Sequence, residues 1–266
     1  MTLPEYEYRG LMAQAWDLLR GDTSQWEDRF FYLEAIRKYG QPVLDVGCGT
    51  GRLMLDFLSQ GMDMDGVDNS PEMLALCQQK AAQMGLEPNL YRQYMERLDL
   101  PRRYRTILIP SSSLQLVTEP QMVLKTLNRL YAHLEQGGVL VVPFMTLWQE
   151  GDPLESEWET SEERSQDGIV IHRVARTRYD PEIECEHTED LYQVILDGVV
   201  VAEELHRRSP ATRSYTQPQA RSLFEQAGLR DVVTYSRFSF DPVKPEDNLF
   251  TLVGQRTAGH QGKKNG

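Results

Sequence analysis

The chain is short of cysteine, short of positive charge and without a long apolar run. Its 266 residues include 3 cysteines: Cys48, Cys77 and Cys185, far apart and without a C-x-x-C pair. That excludes a zinc ribbon and a disulfide scaffold and suits a reducing compartment. Lysine and arginine number 28 against 40 acidic residues, for a formal net charge of -12. A protein that grips nucleic acid through its phosphates needs a basic face, so no nucleic-acid partner is expected. Two basic clusters, Arg102, Arg103 and Arg105, then Arg207, Arg208 and Arg213, read as solvated surface or substrate-side loops. No apolar run approaches the ~18 residues of a membrane span. The opening MTLPEYEYRG lacks the basic-then-apolar order of a secretory signal. The expectation is a cytoplasmic protein, monomer or homodimer, with no membrane partner. No metal is expected either: Glu184, Glu186 and His187 are neighbours in sequence, but adjacent strand residues point to opposite faces.

What is present is an alternation of strand and helix signals without internal repeats. Tyr8, Leu11, Met12, Ala15, Trp16 and Leu19, then Trp26, Phe30, Leu33 and Ile36, recur at helical spacing. They predict two helices broken around Gly21–Ser24, forming an N-terminal helical lid segment over 1–39. A strand over 42–46 runs into a Gly-rich turn, then a helix over 52–60 and a strand over 62–67. Ser70 as N-cap and Pro71 at the first helical position open a helix to about Met84. Strands follow at 90–94 and 105–109. A helix over 119–134 is closed by Gln136-Gly137-Gly138, before an apolar strand over 139–144 of the kind buried on both faces. Such alternation implies a parallel sheet with helices on both sides.

The pattern then changes. Residues 145–165 are acidic and loop-like. Three strands are predicted over 168–179, 182–196 and 199–207, with Asp197-Gly198 a two-residue hairpin signal. A helix over 217–227 has Thr216 and Gln219 placed as a capping box, and strands are expected near 231–238 and 248–255. Residues 40–147 and 208–256 thus form an α/β domain, 148–207 an inserted antiparallel β meander, and 257–266 a polar flexible tail.

The chemistry sits in VLDVGCGTGRL, Val43 to Leu53. A buried strand delivers the chain to the sheet's carboxyl edge. Gly47, Gly49 and Gly51 let the backbone turn tightly and approach a ligand, and the following helix presents free N–H groups. Asp68 ends the next strand, where a carboxylate can accept both hydroxyl protons of a ribose. A dinucleotide enzyme would also use a Gly-rich turn and a distant acid, but the spacing here is G-x-G-x-G rather than G-x-G-x-x-G. Asp45, aimed into the crevice, suits a ligand with an ammonium group better than a pyrophosphate. S-adenosylmethionine is therefore favoured over NAD.

LDVGCGTG and GVDNSPEML resemble the first two motifs of the class I S-adenosylmethionine-dependent methyltransferases. HLEQGGVLVV and YTQPQARSLFEQAGLRDV are similar to the family's entry into its fifth strand and its late helix. The resemblance implies a Rossmann-like, mostly parallel seven-stranded sheet whose last strand is antiparallel, with the meander as a lid. It implies that Gly47, Gly49 and Gly51 lie against the methionine and ribose, with Cys48 and Arg52 in the same turn. Asp45 would organise the amino end and Asp68 the ribose, with Asn69 and Met73 flanking the adenine. Tyr94, Met95 and Glu96 stand where the family often has a Gly-Asp pair. Tyr104-Arg105 stands where it often has Phe-Asp. Pro110 and Ser111, after the fourth strand, complete the expected contacts.

The stretch Ile109-Pro110-Ser111-Ser112-Ser113-Leu114 lacks the Asn/Asp-Pro-Pro-aromatic run of nucleic-acid amino-methyltransferases. The meander and the aromatic N-terminus instead resemble small-molecule enzymes, including those that make N,N-dimethylamino sugars. The expected activity is methyl transfer to a nitrogen or oxygen of a small molecule, mainly by positioning. A non-catalytic S-adenosylmethionine-binding protein and an NAD-dependent oxidoreductase are the alternatives. Acceptor-side candidates are Tyr8, Trp16, Trp26, Trp148 and Tyr215, with His172 and His187 on the meander. Of these, His187 and Tyr8 are the candidates for a catalytic group.

Overall fold

The structure, a computed structural model, describes residues 7–164 and 169–257. Helices α1 (Gly10–Gln14), α2 (Trp16–Arg20) and α3 (Glu27–Tyr39) come first. Strands and helices then alternate: β1 (Val43–Val46), α4 (Met54–Ser59), β2 (Met64–Asp68), α5 (Pro71–Gln83), β3 (Asn89–Arg92), β4 (Tyr104–Leu108), α6 (Pro120–His133) and β5 (Leu134–Met145). A meander follows, made of β6 (Glu159–Arg164), β7 (Val170–Asp180), β8 (Cys185–Leu196) and β9 (Val199–Arg213). Helix α7 (Gln217–Gln226), β10 (Arg230–Ser236) and β11 (Leu249–Gln255) complete the order.

The main sheet has the order β10-β11-β5-β4-β1-β2-β3. Strands β1 to β5 pair in parallel, and β11 runs against both its neighbours. This is the expected Rossmann-like sheet with its last strand antiparallel. Strand order reverses at β1, between β2 and β4, and such a switch point opens a crevice at the strands' carboxyl ends.

Two-residue periodicity divides each central strand between two cores. In β5, Leu140, Val142 and Phe144 pack with Val123, Leu127 and Leu130 of α6 and Phe224 of α7. Val139 and Val141 point the other way, onto Phe31, Tyr32 and Ile36 of α3 and Met54 and Phe57 of α4. Burying such a side chain is worth about 1.5–3 kcal/mol, so the apolar run at 139–144 holds helices on both faces. The caps read from the sequence are formed. Ser70 Oγ accepts from the Met73 N–H at 3.1 Å, and Thr216 and Gln219 make a reciprocal capping box.

Several elements differ from expectation. The N-terminal segment has a further break at Ala15, giving three helices. Gln136-Gly137-Gly138 does not close α6 but lies within β5. Arg256 holds it there: the Gly137 N–H donates to Arg256 O at 2.7 Å and the Arg256 N–H to Gly138 O at 2.8 Å. The acidic stretch 145–165 contains β6, which pairs with β7. Strand β9 continues to Arg213 because the Cys185 end of β8 is still there to pair with it. Gly168 and residues 258–266, expected as a strand start and a flexible tail, lie outside the described residues.

The meander is a consecutive antiparallel sheet, β6-β7-β8-β9. Asp197 and Gly198 both take positive φ, 51° and 79°, the backbone of a two-residue primed turn. One face buries Ala175, Asp190 and Tyr192, and Tyr192 packs with Leu11, Met12 and Ala15. Helix α1 joins this sheet to the α/β domain. The Leu11 N–H donates to Glu204 of β9 at 2.8 Å, the Gly10 N–H donates to Glu72 of α5 at 2.8 Å, and the Ser70 hydroxyl donates to the Tyr8 carbonyl. Among the described residues, no helix is long and apolar enough to cross a membrane.

Candidate active site

The site is built where β1 and β2 end. Asp68, the last residue of β2, fixes the Gly-rich turn after β1. Its Oδ2 accepts from the Gly49 N–H at 2.9 Å and its Oδ1 from the Ser70 N–H at 2.8 Å. Burial raises the Asp68 pKa, and these N–H donors pull it back. Gly49 has φ +54°, and a Cβ there would meet only Met73 Cε, at 3.7 Å. The protein thus leaves space beside the turn.

Asp45 in β1 is 2% exposed, and its Oδ1 is buried with no hydrogen-bond partner among the described residues. Burial pushes its carboxyl up to about 7. Arg52 opposes the shift, while Asp68 and Asp28 add to it. Arg52 is itself held by both carboxylate oxygens of Asp28 in α3. Asp45 is therefore a carboxylate that the fold has desolvated and not fully paired, a costly arrangement without a ligand.

The cleft above Asp45 is walled by Gly47, Cys48, Gly49 and Arg52, and by Asp68, Asn69 and Met73. Met95, Pro110 and Ser111 line it from the loops after β3 and β4, and Tyr8 and Trp16 from the N-terminal segment. All of these were read from the sequence as site residues. Asn69 Nδ2, like Asp45 Oδ1, is buried and without a partner among the described residues. Ser111 and Ser112 both adopt φ 55°, left-handed backbone uncommon outside glycine. Tyr8 meets Trp16 edge-on at 4.7 Å.

Other expected residues stand outside the cleft. Gly51 faces helix α5, where an added Cβ would lie 2.6 Å from Cys77 Sγ. The missing side chain there makes room for helix packing. Tyr94 packs on the core, and Glu96, 1% exposed, is not among the lining residues. Trp26 is exposed, with the Arg52 and Arg20 guanidiniums 5.1 and 5.7 Å from its ring. Trp148 stacks on Tyr179 at 5.4 Å and donates to Asp152 O. Tyr215 is buried edge-on against Phe144, 5.5 Å away. His172 contacts Gln193, and His187 meets Ser209 Oγ at 2.5 Å on the meander.

Arg20, Gln93, Ser113 and Leu116 also line the cleft and were missed. Arg20 had a signal, since it lies four residues after Trp16 and so shares its helix face. Its guanidinium carbon lies 3.8 Å from the Trp16 ring centre. Burial, then the nearby Arg52, lowers its pKa. Among the described residues, no carboxylate is within salt-bridge distance of it. Gln93 gave no signal: it is a lone amide that closes its own loop on Asp99.

Residues 43–138 match the sequence model of the methyltransferase domain family. Over that stretch the chain matches a methyltransferase domain, and its main sheet has the Rossmann-like fold of solved methyltransferases. It is similar to a phosphatidylethanolamine N-methyltransferase from Cereibacter sphaeroides, with 34% identity over 105 residues, 39% of this chain and 50% of that protein. The chain matches only about half the length of such curated relatives, 47% and 50% of two of them. In fold it is similar to an S-adenosylmethionine-dependent methyltransferase from Clostridium acetobutylicum, with a TM-score of 0.74, 18% identity, and 92% of this chain and 97% of that one covered. An amino pentose methyltransferase from Micromonospora echinaspora superposes with a TM-score of 0.66, 19% identity, and coverage of 94% and 98%. At these identities the likeness of the solved structures speaks for the fold.

Proposed function

We propose that the protein transfers a methyl group from S-adenosylmethionine to a nitrogen or oxygen of a small-molecule acceptor. The observation that carries this reading is the buried, unpartnered Oδ1 of Asp45, beside a glycine turn that leaves open space. When bound, S-adenosylmethionine supplies an electrophilic methyl on a sulfonium: the acceptor's lone pair forms the new bond to carbon, the carbon–sulfur bond breaks with its electrons left on sulfur, and the acceptor gives up a proton.

The chain's own part is to bind, orient and exclude water. Asp45 holds the amino end, and Arg20 offers a cation to the adjoining carboxylate. Asp68 accepts from the ribose hydroxyls through the lone pairs that Gly49 and Ser70 leave free. Asn69, Met73 and Met95 flank the adenine. Tyr8 and Trp16 bound the acceptor side. Orientation of this kind can supply about 7–11 kcal/mol of the barrier, so the reading needs no strong general base. Of the two catalytic candidates, Tyr8 alone lines the cleft.

The test is calorimetric titration of the purified chain with S-adenosylhomocysteine, with NADH as control. Binding of the former alone is expected, weakened about 10- to 100-fold in Asp68→Ala, the scale of one lost charge-assisted hydrogen bond. NADH binding instead, or equal affinity in Asp68→Ala, would overturn the cofactor assignment. Binding without methyl transfer across an amine, phenol and carboxylate panel would make the protein a ligand-holding scaffold.

A further inference from the structure

Arg52 stands between two carboxylates and pairs with only one. It follows the glycine turn, and both it and Asp45 line the cleft. Burial raises the Asp45 pKa, and Arg52 is close enough to pull against that shift. Yet the guanidinium bonds elsewhere: Nη1 donates to Asp28 Oδ1 at 3.1 Å and Nη2 to Asp28 Oδ2. Among the described residues, Asp28 is the only carboxylate within salt-bridge distance of Arg52.

Helix α3 builds the holder. Asp28 is its second residue, where a carboxylate also suits the positive end of the helix dipole. Phe31, Tyr32 and Ile36 seat the helix on Val43 of β1 and on Met54 and Phe57 of α4, which fixes where Asp28 stands. Trp26, just before the helix, brings its ring centre within 5.1 Å of the Arg52 guanidinium carbon. The Arg52 and Asp28 side chains are only 14% and 7% exposed. A two-pronged arginine–carboxylate pair is directional, so Arg52 is held in one place.

Without Asp28 the guanidinium would be a buried cation lacking its counter-ion, a costly state. The other carboxylates near the turn are taken. Asp68 accepts from the Gly49 and Ser70 N–H groups, Asp17 is held by Thr50 and Lys80, and Asp56 by Arg29. Asp45 is the carboxylate with an oxygen left over among the described residues. Its remaining neighbours offer no cation. Asp68 and Asp28 oppose its ionisation. Tyr32, Cys48 and Cys77 sense it too, but burial raises all three, so they stay neutral near pH 7. We infer that Asp28 is a positioning residue: by gripping Arg52 with both oxygens it keeps the guanidinium off Asp45 and leaves that carboxylate for the ligand's ammonium group. The ligand clause rests on the methyltransferase reading; the withholding of Arg52 does not.

The test titrates Asp28→Asn, checked for native circular dichroism, with S-adenosylhomocysteine from about pH 5 to 8. At the upper end affinity should fall about tenfold or more, the scale of a lost charge-assisted contact. The variant's affinity should also vary less with pH than the wild type's, because Arg52 now keeps Asp45 ionised. Adding Arg52→Gln to Asp28→Asn should return most of the affinity, since the competitor is gone. Wild-type affinity in Asp28→Asn, an unchanged pH dependence, or a double variant that binds no better would overturn the inference. A pH dependence that persists when Asp45 is also replaced by Asn would belong to Asp68 and overturn it equally. Asp28→Ser repeats the test if Asp28→Asn does not fold; loss of the fold in both would assign Asp28 to stability alone. If S-adenosylhomocysteine fails to bind the wild-type chain, the methyltransferase reading falls, and denaturation without ligand still decides. The raised Asp45 carboxyl favours the folded wild type at low pH, and that contribution is lost as pH rises through about 7. Measured against Asp45→Asn, the loss should shrink once Asp28 is Asn; an equal loss would overturn the withholding.

Discussion

Asp45 carries the most informative charge in the protein. Its carboxyl is raised from the ordinary 3.8 to about 7, mainly by burial. A carboxyl raised by folding favours the folded state while protonated. That contribution is complete below about pH 4 and is lost as pH rises through 7. Chemical denaturation between pH 4 and 8 should therefore show the wild-type chain losing stability relative to Asp45→Asn. Ligand binding has the opposite sign. An ammonium group favours the ionised carboxylate, so below pH 7 binding of S-adenosylhomocysteine should release a proton. Affinity should rise by up to about tenfold per pH unit toward pH 7, the limit for one proton, and then level off. Titration in two buffers of different ionisation enthalpy counts that proton. A pH-independent affinity, or a proton still released by Asp45→Asn, would remove Asp45 from the ammonium site.

At the scale of elements, the turn between β1 and α4 separates two uses of glycine. Gly49 faces open space, with φ +54°. Gly51, with φ +85°, is pressed against Cys77 and Leu55. Gly49→Val should abolish S-adenosylhomocysteine binding while thermal unfolding stays cooperative. Gly51→Ala should instead destabilise the fold by about 1–3 kcal/mol through overpacking, lowering Tm by several degrees. The reverse pattern would show that the roles of the two glycines are exchanged. The sequence disclosed that the turn was special but not this division, because Cys77 reaches Gly51 only once α5 has packed. The same limit explains the other misses. The β–α alternation and the caps at Ser70 and Thr216 were legible because they are local. Strand β6, ETSEER, lacks the apolar alternation of a half-buried strand and exists because β7 offers it an edge. Gln136-Gly137-Gly138 reads as a helix stop until Arg256, more than a hundred residues away, pairs with it. Trp148 and Tyr215 looked like acceptor residues by type, yet Tyr179 and Phe144 hold them elsewhere.

For the whole molecule, the N-terminal segment is the joint. Helix α1 is bound to α5 through Glu72 and to β9 through Glu204, while Tyr8, Trp16 and Arg20 line the cleft. A ligand there should tighten all three parts together. Saturation at a hundred times Kd corresponds to about 2.7 kcal/mol, and so to a Tm increase of about 5–11 °C for a chain of this size. Hydrogen exchange should slow over residues 8–20 and the glycine turn, with little change in α6. Stabilisation confined to the turn would show that the N-terminal segment does not sense the ligand.

Ser70 reduces that joint to one hydroxyl. Its oxygen accepts from the Met73 N–H, finishing the first turn of α5, and its hydrogen goes to the Tyr8 carbonyl. One group therefore reports on both the helix start and the N-terminal segment. Reciprocity makes the exchange symmetric: whatever factor by which a bound ligand favours the docked segment, the docked segment must favour the ligand by the same factor. Affinity for the ligand is then a property of how residues 8–20 are held, and a change at Glu72 or Glu204, neither of which lines the cleft, would retune it.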